Sequence, residues 1–233
     1  MESTAATNGK ALIDTPPDSF ESRDHWNRIY STKASNELSW HEDKPQLSLD
    51  LIGRHVASHS SIIDIGGGTS MLVPLLLRSG FGRGTVVDLS EAALRLVREG
   101  VNPSEEHRIT LCPDNILEAL DVGCFDVWHD RAVFHFLTEA KDRARYVEVA
   151  EQTVRPGGHL VLGTFGLDGP ERCSGLPVCR YDSAGIAQIF ARSFRVLESV
   201  DQLHKTPSGV DQHFLFTVFS RDTVDPEDDR IGF

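Results

Sequence analysis

Apolar positions along the chain come in short runs and helical stripes, separated by glycine- and proline-rich turns. Residues 1–18 are polar, carry Pro16-Pro17, and are predicted to be a disordered leader because they hold too little apolar surface to order themselves. From Phe20 the pattern changes. Trp26, Ile29 and Tyr30 fall at i, i+3 and i+4, one helical face, and Leu38 and Trp40 form a second cluster. Pro45 is suited to open a helix that runs through Leu47, Leu51 and Ile52. Ile62-Ile63-Asp64-Ile65 is a short apolar run of the kind buried on both faces of a parallel sheet, and a helix begins at Met71 after three glycines.

Gly84–Asp88 reads as a second strand, and Ser90 caps a helix through Leu94, Leu96 and Val97 that Gly100 ends. Arg108–Cys112 is predicted as the third strand, followed by a helix at Ile116–Leu120. Phe125–Asp130 is the fourth, with a helix over Arg131–Leu137. A helix at roughly 139–154, a Pro156-Gly157-Gly158 turn and a strand His159–Phe165 come next. Residues 166–180 are rich in glycine and proline and are predicted to be irregular; a loop that long is usually functional. A helix Tyr181–Ala191 leads to strands Arg195–Val200 and His213–Ser220, a hairpin that sets the last strand antiparallel. The alternation predicts an α/β, doubly wound, mostly parallel seven-stranded sheet spanning residues 60–221. Residues 19–58 form an N-terminal helical addition to it, and the acidic 222–233 is a loose tail.

A chain of 233 residues, 39% hydrophobic and 25% charged, suits one domain with a full core. Its formal net charge of −12, without a lysine or arginine cluster, disfavours nucleic acid as a partner. No apolar stretch suggests a signal peptide or a membrane span, so the default is a cytoplasmic, reduced protein, monomeric or homodimeric. The cysteines Cys112, Cys124, Cys173 and Cys179 follow no metal or disulfide spacing, and no metal site is expected. Cys173 and Cys179 share the 166–180 loop. Facing one cleft together they would bind a soft electrophile such as trivalent arsenic; otherwise they have no role.

The candidate chemistry begins at Gly66-Gly67-Gly68, where the absence of side chains lets the backbone turn tightly and approach a ligand ahead of a helix N-terminus. A dinucleotide fingerprint fails because Met71 stands where the third glycine belongs, and no lysine follows Gly68 to make a phosphate loop. What remains is Asp64-x-Gly66-x-Gly68 and an acid, Asp88, at the end of the next strand, the offset at which ribose hydroxyls are bound.

With the Pro156-Gly157-Gly158 turn, this combination resembles the class I S-adenosylmethionine-dependent methyltransferases over roughly residues 60–220. The resemblance implies a Rossmann-like fold and S-adenosylmethionine as cofactor, with S-adenosylhomocysteine as product. It further implies a binding set of Asp64, Gly66, Gly67, Gly68, Thr69, Asp88 and Leu89. Asp114 is placed for the adenine amino group, with Asn115 its neighbour; either instead caps the next helix. Trp26 and Tyr30 either cover the sheet or close as a lid whose aromatic faces suit a sulfonium.

At the end of the fourth strand the family borders the transferring methyl, which makes His129 and Asp130 the catalytic candidates, one facing the cleft and the other the helix layer. Asp130 and Arg131 read equally as a structural ion pair, and His135 as a core histidine. Trp40, Arg131, Phe134 and Tyr181 are the substrate-binding candidates. The segments 25–30, 128–137 and 168–177 look like a small bacterial and fungal subgroup. The Trp-x-x-x-Tyr opening is similar to that of some protein-lysine methyltransferases, but Asp130-Arg131-Ala132-Val133-Phe134-His135 departs from their Asp-Lys-Gly-Thr-x-Asp. The expected acceptor is a nitrogen, oxygen or sulfur nucleophile on a small molecule. The alternatives are a protein lysine, a cofactor-binding protein without catalysis, and a nicotinamide dehydrogenase.

Overall fold

The apolar runs become strands that stack in one sheet, each turned so that alternate side chains meet helices on opposite faces. The structure, a computed structural model, describes residues 23–118 and 122–223. The expected leader at 1–18, and all of the expected tail beyond residue 223, lie outside them. In chain order the elements are α1 (Arg23–Thr32), α2 (Gln46–His55), β1 (Ser61–Ile65), α3 (Leu72–Arg78), β2 (Arg83–Val87) and α4 (Glu91–Gly100). There follow β3 (Ile109–Cys112), β4 (Phe125–Arg131), α5 (Ala140–Thr153) and β5 (Val154–Phe165). The last are β6 (Arg172–Cys173), β7 (Leu176–Pro177), α6 (Ser183–Phe190), β8 (Phe194–Lys205) and β9 (Asp211–Arg221).

The seven-stranded sheet has the order β3-β2-β1-β4-β5-β9-β8. β1 to β5 are parallel, and β9 runs antiparallel to both β5 and β8, as the hairpin predicted. Strand order reverses between β1 and β4, and in open sheets of this kind the carboxyl ends at such a switch point form the ligand crevice.

α2, α3 and α4 pack Leu51, Ile52, Leu72, Val73, Leu94 and Val97 against Ile62 and Val127 on one face. On the other, α5 and α6 pack Tyr146, Ala150, Ile186 and Phe190 against Ile63 and Trp128. Trp128 is fully buried and donates Nε1–H to Tyr146 Oη at 2.8 Å. Burying an aromatic ring of this size contributes about 2–3 kcal/mol. Because side chains alternate along β4, His129 falls on the α2 face and Asp130 on the α5 face.

Four local expectations are corrected. Residues 116–118 form a turn rather than the start of a helix, because the Asn115 side chain accepts Leu117 N–H at 3.0 Å; residues 119–121 lie outside the described chain. Arg131–Leu137 is not a helix: Ala132 sits at φ 71°, and only Phe134–Phe136 closes, as one 3₁₀ turn. The 166–180 segment holds the β6–β7 ribbon, which reverses through Ser174 (φ 51°) and Gly175 (φ 80°), the conformation of a tight hairpin, over buried Cys173 and Leu176. Finally, β8 and β9 are 12 and 11 residues long; β8, the edge strand, has one wet face whose polar residues mask its length in the sequence.

Candidate functional site

The glycine turn leaves β1 with Gly66 and Gly68 at positive φ (59° and 53°). A Cβ at Gly66 would overlap the Val133 side chain and one at Gly68 the Tyr30 hydroxyl; one at Gly67 would stand 2.8 Å from Asp64 Oδ2. All three positions therefore need glycine, for conformation or for space. Asp88, just past β2, braces the turn: Oδ2 accepts Gly68 N–H at 2.9 Å and Oδ1 accepts Ser90 N–H at 2.8 Å. Burial pushes its carboxyl up to about 6 against these two hydrogen bonds. Each oxygen retains a lone pair, and Asp88 lines the cleft, so acceptor capacity for ribose hydroxyls remains.

Asp64 is 2% exposed and holds His129: Nδ1–H of the ring donates to Oδ1 at 2.6 Å, and Nε2 accepts from the Ser48 hydroxyl at 2.9 Å. That is the tautomer a carboxylate partner selects. Asp64 Oδ2 is buried with no hydrogen bond from a described residue. A carboxylate oxygen left bare in a cleft is costly without a donor from a ligand.

The cleft over these residues, with the solvent-open space at its mouth, spans about 650 Å³ and adjoins a second of about 500 Å³; Trp40, Ile65, Gly66 and Arg131 line both. Leu89, Asp114, Asn115 and Ile116 form one end of the larger cavity. Asn115 is engaged in its own turn, whereas Asp114 is exposed at the rim of the cleft. Trp26, Tyr30, Trp40 and Phe136 make the wall facing the glycine turn, with ring centroids 5.4 Å apart for Trp26–Phe136, 6.3 Å for Trp26–Trp40 and 6.1 Å for Tyr30–Trp40. α1 is tied down over the cleft because Asn27 Oδ1 accepts the Ser90 hydroxyl at 2.8 Å and Arg23 Nη1 donates to Leu89 O at 3.3 Å. Thr69 lines the second cavity. The structure thus brings together the predicted Trp26, Tyr30, Asp64, Gly66, Gly67, Thr69, Asp88, Leu89, Asp114 and Asn115 around one crevice, with Gly68 behind it against Tyr30 and Asp88.

The acceptor-side expectations fare differently. Asp130 is fully buried and faces α5, where Oδ2 accepts the Tyr146 hydroxyl at 2.5 Å and Phe134 N–H at 3.0 Å while Oδ1 accepts Val133 N–H at 2.9 Å. Nor does it pair with Arg131, whose Nη2 lies 3.3 Å from Glu42. Asp130 fastens the turn after β4 and does not reach the cleft. His129 has both ring nitrogens taken, so it positions Asp64. Phe134 packs on Tyr146, Tyr181 and Phe190 in the core, and Tyr181 joins it there, so neither lines the cleft. Both are packed in the core layer under α5 and α6.

His135 is the core histidine expected: burial, then the nearby Arg131, holds it uncharged by drawing its pKa down to about 3. Cys173 lines the cleft, its thiol pushed up to about 11 by burial, while Cys179 packs in the opposite layer and donates Sγ–H to Leu137 O at 3.9 Å. The two do not share a site, which removes the arsenic reading. Phe136, Ala132, Glu42 and Ser48 were missed by the sequence reading; the two-residue offset from Phe134 to Phe136 is the signal that would have found the first.

A family model described as a methyltransferase domain matches residues 63–162, from β1 into β5. Among curated proteins, EEF1A lysine methyltransferase 2 of Danio rerio is 27% identical over 115 residues, 47% of this chain and 49% of that protein, so the match spans about half the relative's length. Two solved structures share the fold at low identity. One, from work on the conversion of a disulfide bond into a thioacetal group during echinomycin biosynthesis, is 17% identical with a TM-score of 0.69, covering 90% of this chain and 96% of that one. The other is the Burkholderia thailandensis 1,6-didemethyltoxoflavin-N1-methyltransferase with bound 1,6-didemethyltoxoflavin and S-adenosylhomocysteine, 17% identical with a TM-score of 0.63, covering 83% and 81%.

Proposed function

We propose that this chain, which belongs to the class I S-adenosylmethionine-dependent methyltransferases, transfers a methyl group in line to a nucleophilic nitrogen, oxygen or sulfur atom of a small-molecule acceptor. The observation that carries the reading is the roofed crevice at the β1/β4 switch point, where two cavities meet beside Gly66 and Arg131 under an aromatic wall. When bound, the cofactor supplies a methyl carbon on a positively charged sulfur whose departure as a neutral thioether is easy. The residues present fit it. Asp88 offers lone pairs to ribose hydroxyls, and Asp114 offers an exposed carboxylate to the adenine amino group. The bare Asp64 Oδ2 suits an ammonium, and the faces of Trp26, Tyr30 and Trp40 suit a sulfonium. The chain's own work is then to orient the acceptor and keep water out. His129 contributes by fixing Asp64.

A protein-lysine acceptor is the second reading, favoured by the curated relative's name and opposed by the roof over the crevice. Incubation with methyl-labelled cofactor and a panel of small thiols, amines and phenols, beside a lysine peptide mixture, separates the two. Label on a small molecule alone supports the proposal; label on peptides alone overturns it. Cofactor binding without label on anything would favour a non-catalytic binder.

A further inference from the structure

We propose that the acceptor enters the cleft as an anion held by Arg131. The inference rests on the reading of this crevice as a methyltransferase site.

Arg131 ends β4 at the switch point and borders both cavities. Its head is fixed: Nη1 donates to Trp40 O at 2.7 Å, and the guanidinium carbon lies 5.0 Å over the Phe214 ring. Nε and Nη2 are buried and donate no hydrogen bond to a described residue. Glu42 Oε1 stands in ion-pair range of Nη2 but is shared with His204 Nδ1 at 3.4 Å. The guanidinium thus keeps two buried donors to spare, and planar anions match that fork.

Of the titratable groups at this end, His41 lines the second cavity with Nε2 3.1 Å from Asp43 Oδ1, and the others are engaged or protonated. His129 and Asp130 are spent on Asp64, Ser48, Tyr146 and the turn after β4. Cys173 and Tyr30, which line it, are held protonated by burial. Glu42 is engaged by Arg131 and His204, and Asp88 and Asp114 belong with Leu89 and Ile116 at the nucleoside end. An anionic acceptor needs no base. Its lone pair forms the bond to the methyl carbon while the carbon–sulfur bond breaks with its pair on sulfur. The negative and positive charges cancel, and no proton has to leave. A neutral amine would instead become an ammonium beside Arg131. Thiolates and acidic phenolates or enolates are therefore the acceptor class. The other anion that these donors suit is the carboxylate of the cofactor's amino-acid end.

The test uses the full chain saturated with S-adenosylhomocysteine and 4-nitrophenol, whose coloured anion reports its own ionisation. Bound probe should be about tenfold more ionised than free probe at matched pH, a shift of about one pKa unit. Arg131→Gln should abolish the excess with S-adenosylhomocysteine affinity kept within about threefold, and Arg131→Lys should restore part of it. Absence of probe binding, or bound probe no more ionised than free, overturns the inference on the wild type alone. A parallel loss of S-adenosylhomocysteine affinity in Arg131→Gln overturns it too, by giving the guanidinium to the cofactor. Failure of the wild type to bind S-adenosylhomocysteine brings down the underlying methyltransferase reading instead.

Discussion

Asp88 and Asp130 are both strand-end aspartates whose carboxyls burial raises to about 6, and they do opposite work. Asp88 opens onto the cleft; Asp130 is closed off behind β4. Ribose hydroxyls donating to Asp88 would favour its charged form and lower its pKa, so ligand binding near pH 6 should release a proton. Calorimetry of S-adenosylhomocysteine binding in buffers of different ionisation enthalpy reads this directly; uptake rather than release would contradict it. For stability the sign is the same for both groups. A folded-state pKa above the unfolded value means the folded protein binds the proton more tightly, so their contribution grows as pH falls through about 6 and levels off near the unfolded carboxyl value. Asp130→Asn should flatten its share of that slope in melts between pH 7 and pH 4. Asp130→Ala strands the Tyr146 hydroxyl and two N–H groups and should cost about 3 kcal/mol in denaturant titration, with S-adenosylhomocysteine affinity of the folded fraction unchanged. The alternation of β4 told that one of His129 and Asp130 faces the crevice. It did not tell that Ser48 and Tyr146, far away in sequence, had already taken them.

At the scale of elements, periodicity located β1 to β4 and the body of β5 from His159, while Val154–Gly158, the start of that strand, read as a helix end and a turn. It failed where a side chain or a left-handed residue overrode the pattern, at Asn115, Ala132 and the Ser174-Gly175 tip. Ala132 carries a Cβ at φ 71°, so Ala132→Gly should relieve strain and stabilise the fold by about 1 kcal/mol; a loss of stability would show that its methyl contact outweighs the strain. α1 belongs to the roof rather than to the sheet, and its ties to the rest run through Asn27, Arg23 and the aromatic wall. S-adenosylhomocysteine should slow amide hydrogen exchange across 23–42 by tenfold or more, since a ligand under the roof adds contacts to both sides. Exchange that stays unchanged there would remove Trp26 and Tyr30 from the cofactor site.

The whole molecule is a seven-stranded sheet whose two halves wind outward from β1 and β4, and the crevice sits where they part. Its class followed from the order of apolar runs, and its cofactor end from three glycines and two acids at fixed offsets. The acceptor end was less legible, because it is built from segments remote in sequence: Trp40, Glu42, Arg131, Phe136 and Cys173. Among the described residues no helix is long and apolar enough to cross a membrane. Calorimetric titration of the full chain with S-adenosylmethionine, S-adenosylhomocysteine and NAD, repeated on Asp88→Ala, reaches the centre of all this. Micromolar binding of the first two, none of NAD, and at least a severalfold loss in the variant is the expected result. Binding of NAD alone, or an Asp88→Ala affinity equal to wild type, would contradict it.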